Sequence, residues 1–573
     1  MSLVLVWLTY LSSHTSLFYI LYIGIGLVVA LFSTILFIAL ILRHRTPDRH
    51  GCVTTIGFFH PYAAGGGGGE RVLWCAVGAL DRAAKAAGVA LDVLIYCGGD
   101  FDARTLIARA SADFGVSLPE PEGGIYNNSA RGRRAAQTRS AAVKVGANLR
   151  FVRIAGRFLL EASTWPRFTL LGQSFGSILL ALECVTRARV DVWVDTTGAA
   201  FTLPLVRAAG THAAAAYIHY PTISSEMLSR VAARTATFNN NGTVARSVLL
   251  TNLKLYYYRA FAQAYRWAGQ SASPGGVMAN SRWTAAHIKE LWGREPTVVY
   301  PPCPTEALRT LPAGSRTRLV VSLAQFRPEK DHSKQLHAFA NFRSRSRNFE
   351  DVRLALVGGA RGAEDEARVA ALRELARTLD VEAHVDFYVN APLTAVRTLL
   401  GKATAGLHTM ASEHFGIGVV EMQAAGVVVI AHDSGGPQAD IVVPPWRWSS
   451  LRSAAPPVGL LAASVEEYAT ALEAVFSGSV NVQAVAAAGR VASARFSEEE
   501  FERAFVATLW PLIEIAAVAG GGGIITLPPL PSALAALEPV IRKKTRAASS
   551  VKGRGRRSPS TSPPPTLVIP SHT

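Results

Sequence analysis

Residues 404–426 read TAGLHTMASEHFGIGVVEMQAAG, and their order decides the fold. TAGLHTM has the small and apolar residues of a buried strand. A helix is expected to begin near Gly416, with Gly416 and Gly418 exposing N–H groups at its positive end. Glu413 falls in the loop between strand and helix, and Glu421 falls on the helix. Open parallel sheets bind ligands outside the carboxyl ends of their strands, so the stretch is a strand, a site loop and a helix in sequence.

The pattern repeats outward in both directions. RLVVSLA (318–324), VRLALVG (352–358), HVDFYV (384–389) and VVVIAH (427–432) read as buried strands, each followed by a helical stretch. Upstream, VTTIGFF (53–59), LDVLIYC (91–97), VDVWVD (190–195) and AAAYIHY (214–220) do the same. Gly88 is placed to end one helix and Ser281 to cap another. Pro301, Pro302 and Pro304 interrupt the series and mark a linker. The fold class expected is α/β: two doubly wound Rossmann-like domains, 43–300 and 301–519, facing a cleft.

Residues 1–42 carry no Asp, Glu, Lys or Arg, and the apolar run from Leu17 to Leu42 is followed by Arg43, Arg45 and Arg49. As a helix, that run would span about 39 Å, enough for a hydrocarbon core of roughly 30 Å. The charges follow the apolar run and no small-residue cleavage site is present, which reads as one uncleaved transmembrane anchor rather than a secretory signal. The positive flank puts the remainder of the chain in the cytosol. The sequons at Asn127 and Asn241 would then be silent.

The chain has 573 residues, 49% hydrophobic and 17% charged, which excludes a disordered protein. Its five cysteines are scattered, with no CxxC pair, which argues against a disulfide scaffold or a zinc ribbon and suits a reducing compartment. The net charge of +17 is concentrated in two places. One is the Pro/Ser-rich tail, 520–573, read as disordered. The other is the acid-free stretch 123–160, with Arg131, Arg133, Arg134 and Arg139, read as a solvated loop. No nucleic-acid-reading motif accompanies either, so no nucleic acid is expected as a partner.

Four features carry chemistry. HPYAAGGGGGER (60–71) places Gly65 to Gly69 between a strand and a helix, where Gly66, Gly67 and Gly68 let backbone N–H groups approach a diphosphate. QFRPEKDH (325–332) puts Arg327 and Lys330 just past a strand end, read as exposed cations facing a leaving diphosphate. Glu413 and Glu421 can each grip a pair of sugar hydroxyls, one pair on a hexose and one on a ribose. HDSGGPQADIV (432–442) offers Gly435 and Gly436 at another strand end, and His219 closes a strand of the first domain toward the cleft. Asp100 and Asp102 form a DxD without a partner cluster, so no metal site is expected.

Taken together, GFFHPY (57–62), GQSFGS (172–177), AAFTLPL (199–205), YIHYP (217–221), QFRPEKDH, EHFGIGVVEMQAAG and AHDSGGPQADIVVP (431–444) resemble a known family. It is that of the retaining glycosyltransferases of family 4, of GT-B fold. More closely, the chain is similar to the dolichol-linked-oligosaccharide α-1,2-mannosyltransferases of asparagine-linked glycosylation. The resemblance implies GDP-mannose as donor and a dolichol-diphosphate-linked oligosaccharide as acceptor, extended by its fourth and fifth mannoses. It implies action at the cytosolic face of the endoplasmic reticulum membrane, with no metal or other cofactor, and other mannosyltransferases of the pathway as candidate partners.

By the same resemblance, Glu413 holds the donor sugar near its anomeric carbon and Glu421 the ribose. Arg327 and Lys330 clamp the diphosphate, and His219 lies near the transferred sugar. The chain departs from the family at Gln325, where Arg is common, at Ser412, where Asn is usual, in its fifth glycine, and in 444–457 with Trp446 and Trp448. A lipid-linked or sterol glycosyltransferase using a UDP-sugar, and a non-catalytic membrane-tethered scaffold, are the alternatives.

Overall fold

The computed structural model describes residues 33–35, 37–43, 53–121, 145–224, 227, 231–234, 247–312, 314, 316–445 and 457–520. Most of the expected anchor, Asn127, Asn241, the arginines at 131–139, Trp446, Trp448 and the tail from 521 lie outside them.

The first half builds a parallel sheet in the order β3-β2-β1-β4-β5-β6-β7. Its strands are β1 (Thr54–Phe59), β2 (Ala90–Gly98), β3 (Gly146–Ile154), β4 (Val192–Asp195), β5 (Ala213–Ile218), β6 (Val277–Ala279) and β7 (Thr297–Val298). The helices between them are α1 (Gly68–Ala87), α2 (Ala103–Phe114), α3 (Thr169–Arg187), α4 (Thr202–Ala208), α5 (Val248–Gly269) and α6 (Arg282–Trp292). The expected punctuation is in place. Gly88 ends α1 in the left-handed region (φ 67°), and the Ser281 side chain caps α6 by accepting from Thr284 N.

The second half contains α7 (Thr305–Arg309), β8 (Thr317–Leu323), α8 (His332–Ser344), β9 (Arg353–Gly358), α9 (Ala363–Thr378), β10 (Val385–Val389) and α10 (Leu393–Lys402). It continues with β11 (Ala403–His408), α11 (Ile417–Ala424), β12 (Val428–His432), β13 (Leu460–Ala462), α12 (Val465–Phe476), α13 (Val482–Ser493) and α14 (Glu498–Ala519). Its parallel sheet runs β10-β9-β8-β11-β12-β13. Apolar clusters on the sheet, such as Val320, Leu356 and Ile430 and, separately, Val321, Val357 and Val429, explain why its strands read as continuous apolar runs.

Three features differ from the expectations. Residues 146–154, read within a solvated basic loop, form β3 along the whole length of β2. Their alternation hides in the basic run because Arg150 and Arg153 pair with Asp92 (2.8 Å) and Asp100 (3.0 Å) rather than face solvent alone. The last helix, α14, packs on the first sheet: Phe505 stacks on Phe58, Phe501 meets Tyr217 edge-on, and Glu498 pairs with Arg71 at 2.6 Å. In the N-terminal apolar run, residues 33–35 and 37–43 are helical. Ile35, Ala39 and Leu42 enter the core of the first half, while Phe37, Leu40 and Ile41 are exposed. Among the described residues, the helix long and apolar enough to cross a membrane is α3.

Candidate active site

At the carboxyl edge of the second sheet, β11 ends in His408 and the chain turns through Ser412 (φ 55°) to Glu413. That left-handed turn suits Asn better than Ser. Glu413 is buried, and its Oε2 receives Lys330 Nζ and lies 3.1 Å from His408 Nε2. Burial alone would raise the Glu413 pKa, but Lys330 and His408 outweigh it and hold the carboxyl well below the usual carboxylate range. Lys330 is itself fixed from behind, because Thr409 Oγ1 donates to the Lys330 carbonyl at 2.9 Å.

The expected exposed lysine is therefore a half-buried one, ion-paired to the expected sugar-binding carboxylate. Arg327 is not brought to this cluster. It precedes the short Pro328–Lys330 turn, and its exposed side chain makes no hydrogen bond or ion pair among the described residues.

Gly435 and Gly436 act on Glu413 from behind. Gly436 N donates to the Glu413 carbonyl at 2.7 Å, and a Cβ on Gly435 (φ 66°) would collide with that carbonyl oxygen. Gly416 (φ 106°) precedes α11, and a Cβ on Gly418 would come within 2.6 Å of the Leu323 carbonyl at the end of β8. The side chain of Glu421, on α11, makes no hydrogen bond or ion pair among the described residues. Burial raises its pKa, and nearby Arg71 of α1 partly offsets the rise.

The first sheet supplies the opposing wall. Gly67 N donates to Glu70 Oε2 at 2.9 Å, so a carboxylate at the start of α1 pins the glycine loop. Burial would raise the Glu70 pKa, but His60, 3.9 Å away, and the backbone N–H groups of Gly67 and Glu70 together outweigh it and the net shift is downward. His60 Nδ1 in turn meets Thr196 Oγ1 at 2.8 Å. A Cβ on Gly68 would lie 2.8 Å from Ile417, so the loop abuts the start of α11. Gly66 has open space around it.

His219, just past β5, has Nε2 3.1 Å from the Thr196 carbonyl, a hydrogen bond that puts the proton on that nitrogen. Burial, reinforced by His60, pushes its pKa down to about 4, so the ring is neutral near pH 7. Asp195, fully buried at the end of β4, accepts from Thr197 N at 2.8 Å and leaves Oδ2 without a hydrogen-bond partner among the described residues. Its pKa is pushed up by burial to about 6. Asp102, considered above with Asp100, caps α2 by accepting from Thr105 N at 2.8 Å.

Two contacts tie the walls together. Asp440 accepts from Arg282 N (2.9 Å), Arg282 Nε (2.7 Å) and Tyr300 Oη (2.8 Å). The His414 ring stands 4.1 Å from that of Tyr220, the residue after His219. Sequence reasoning missed His408, His60, Glu70, Asp195, Asp440 and His414. Glu70 carried a usable signal, since an acid three positions after Gly67 suits the first turn of a helix. His408 carried one in its position at the end of a strand. Among the described residues, no group of three or more His, Cys, Asp or Glu could hold a metal ion.

Residues 53–292 match the family described as ALG11 mannosyltransferase N-terminus, and residues 306–444 match glycosyl transferases group 1. A Xenopus laevis protein named GDP-Man:Man(3)GlcNAc(2)-PP-Dol alpha-1,2-mannosyltransferase is 39% identical over 80% of this chain and 88% of its own. The Homo sapiens protein of the same name is 38% identical over 80% and 87%. The chain belongs to this mannosyltransferase family.

Solved structures share the two-sheet GT-B architecture. A Burkholderia multivorans α,α-trehalose 6-phosphate synthase aligns with a TM-score of 0.53 at 12% identity, covering 82% of this chain and all of its own. Anabaena Alr3699/HepE in complex with UDP aligns at 0.50 and 15%, covering 80% and all of its own. At such identities the likeness is one of fold. As a glycosyltransferase of this family, the chain places its buried Lys330–Glu413–His408 cluster within the segment that matches group 1, and His219 within the other.

Proposed function

We propose that the protein transfers mannose from GDP-mannose to a dolichol-diphosphate-linked oligosaccharide, forming α-1,2 linkages with retention. The fourth and fifth mannoses of the precursor are the additions. Residues 43–300 take the acceptor and 301–519 the nucleotide sugar, with α14 strapped across to the first sheet. The observation that carries the reading is the Lys330–Glu413–His408 cluster in a chain of this family.

The chemistry follows from the charges. Breaking the bond from mannose to phosphate puts positive charge on the anomeric carbon and negative charge on the departing diphosphate. Lys330 supplies a cation for the second and Glu413 a carboxylate near the first. Because the two are paired beforehand, neither needs to be reoriented from water when the donor arrives. Glu421, lacking a partner of its own, receives the ribose hydroxyls. Neutral His219, whose Nε2–H is spent on the Thr196 carbonyl, offers Nδ1 as an acceptor to a sugar hydroxyl without adding a charge. In this proposal the donor needs no metal ion, and the enzyme is a single-pass protein of the endoplasmic reticulum with its catalytic domains in the cytosol.

The test is a panel of nucleotide sugars against dolichol-linked acceptors of increasing mannose count, read by mass spectrometry. Transfer from GDP-mannose to the three- and four-mannose acceptors is expected. Preference for a UDP-sugar would overturn the proposal. In sealed microsomes, residues 43 onward should be open to protease, and protection of the large domain would reverse the topology.

A further inference from the structure

The motif GQSFGS (172–177) and the acid-free stretch 123–160 have no part in the chemistry above, and the structure brings them together. After β3 the chain turns through residues 155–165 before α3 begins. Glu183 of α3 accepts from Ala155 N (2.8 Å) and Gly156 N (3.0 Å). Trp165 Nε1 donates to the Leu159 carbonyl (2.8 Å), and Gln173 Nε2 donates to the Leu160 carbonyl (2.7 Å). A Cβ on Gly172 would collide with the Trp165 ring, and one on Gly176 with the Leu159 carbonyl oxygen. The glycines of the motif thus let this turn sit directly on the helix, and its glutamine ties it there.

What the turn presents is Arg157. Its stem lies against Gly98, where a Cβ would stand 2.7 Å from the Arg157 Cβ, and its guanidinium lies 5.4 Å from the centre of the Tyr62 ring. These residues come from the end of β2 and the loops after β3 and β1, so the guanidinium stands at the carboxyl edge of the first sheet. It is half-buried and makes no hydrogen bond among the described residues. Glu161 Oε1 stands 3.9 Å from its Nε, beyond hydrogen-bond length, and both Nη groups have no acceptor there. Arg150 and Arg153 of β3, in contrast, are paired with Asp92 and Asp100. A guanidinium held by its stem and an aromatic ring, with the fork free, is shaped for a bidentate anion such as phosphate. The glycine loop joins this arginine to the other end of the site. Gly65 N donates to the Tyr62 carbonyl at 2.8 Å, and a Cβ on Gly69 would lie 3.8 Å from His219 Nε2. In the order β3-β2-β1-β4-β5, the strand before Arg157 lies four places from the strand before His219, about 19 Å sideways.

We propose that Arg157 binds the diphosphate of the lipid-linked acceptor. Such an acceptor carries its diphosphate at one end of an oligosaccharide and the hydroxyl to be extended toward the other, so the two are held at separate places. Lys330 is proposed for the donor's diphosphate, which leaves the acceptor's without a cation unless Arg157 supplies one. Gly65 to Gly69, with no side chains of their own, then floor the sugars that run from Arg157 to His219. The inference rests on the acceptor proposed above and deepens it.

The experiment uses the full chain in neutral detergent, with GDP-mannose and a phytanyl-diphosphate-linked acceptor of three mannoses. Arg157→Gln should raise the acceptor KM about 10- to 100-fold, the effect of losing one hydrogen-bonded charge contact, with the donor KM as in the parent. Arg157→Lys keeps the charge without the fork and should fall between. Sugar-free phytanyl diphosphate should compete with the acceptor, and Arg157→Gln should weaken that inhibition by the same factor as the KM. Uncharged phytanol should affect parent and variant alike. An acceptor KM that does not move, or one that moves while inhibition by phytanyl diphosphate stays the same, would overturn the site. Competition by phytanyl diphosphate against GDP-mannose instead would place the anion at Lys330 and overturn it too. Phosphatidylserine that competes as strongly, and weakens by the same factor in the variant, would give Arg157 to a lipid headgroup rather than to the acceptor. Arg157→Gln should melt like the parent, and a large drop in melting temperature would assign the residue to the fold. A parent that moves no mannose from GDP-mannose to this acceptor would sink the functional reading, whereas indifferent variants of an active parent would sink the site alone.

Discussion

Lys330 and Glu413, separated by 83 residues, form an ion pair in which His408 shares the carboxylate. A cation expected to wait in solvent is thus held by the carboxylate proposed to grip the sugar. Lys330→Ala should cut turnover by about 30- to 1000-fold, the effect of losing roughly 2–4 kcal/mol of transition-state stabilisation. It should also lower the melting temperature, because Glu413 is left buried with less compensation. A variant that melts like the parent would show that the pair adds nothing to the fold. One that also keeps full activity would remove Lys330 from the chemistry.

The two glutamates should separate kinetically. Glu413 is proposed to face charge that develops as the bond breaks, so Glu413→Gln should lower kcat with a modest change in donor KM. Glu421 is proposed to hold ribose equally in ground and transition states. Glu421→Gln should raise donor KM by about one to two orders of magnitude, for roughly 1.4–2.8 kcal/mol of lost binding. Steady-state kinetics with donor varied and acceptor saturating decides it, and a reversed pattern would swap the roles.

Gly435→Ala should act on Glu413 through the backbone of its loop. Its Cβ has no room beside the Glu413 carbonyl, and its φ of 66° disfavours any side chain. The loop must shift, so kcat should fall while the domain stays folded. Unchanged kcat would mean that the loop tolerates the displacement.

Asp195 gives a pH dependence with a definite sign. Its folded pKa of about 6 lies above the ordinary aspartate value, so its contribution is fully present below about pH 4 and is lost as pH rises through 6. Asp195→Asn does not titrate. It should melt higher than the parent at pH 8, by the equivalent of about 1–3 kcal/mol, and the gap should close toward pH 4. Buried His219 titrates in both proteins and cancels from the comparison. A gap independent of pH would mean that Asp195 is not the group responsible.

Activity should survive excess EDTA, since Lys330 is proposed to supply the cation that neutralises the diphosphate. Loss on chelation with rescue by manganese would reopen the question of a bound ion.

The strands were legible because they are buried on both faces and read as unbroken apolar runs. Glu413 was legible because a carboxylate between a strand and a glycine-opened helix has few structural reasons to exist. What stayed hidden depends on contacts far apart in sequence. Nothing near Lys330 announces that Glu413 neutralises it, and β3 is masked by arginines whose aspartates lie on or just beyond the neighbouring strand. His60 and His408 sit inside strand-end text that gives no hint of their partners. α14 has the periodicity of any amphipathic helix, and which sheet it covers is decided by Phe58 and Tyr217, more than 280 residues upstream.

That last helix also sets a timetable for synthesis. Phe58 and Tyr217 belong to strands made early, but the residues that cover them, Phe505 and Phe501, leave the ribosome only after the entire second sheet has been made. At roughly 5–20 residues per second, translating residues 301–519 takes on the order of ten to forty seconds. Throughout that interval the first half stands with an uncovered apolar surface, so a nascent chain stalled before residue 498 should be a client for chaperones rather than a finished domain.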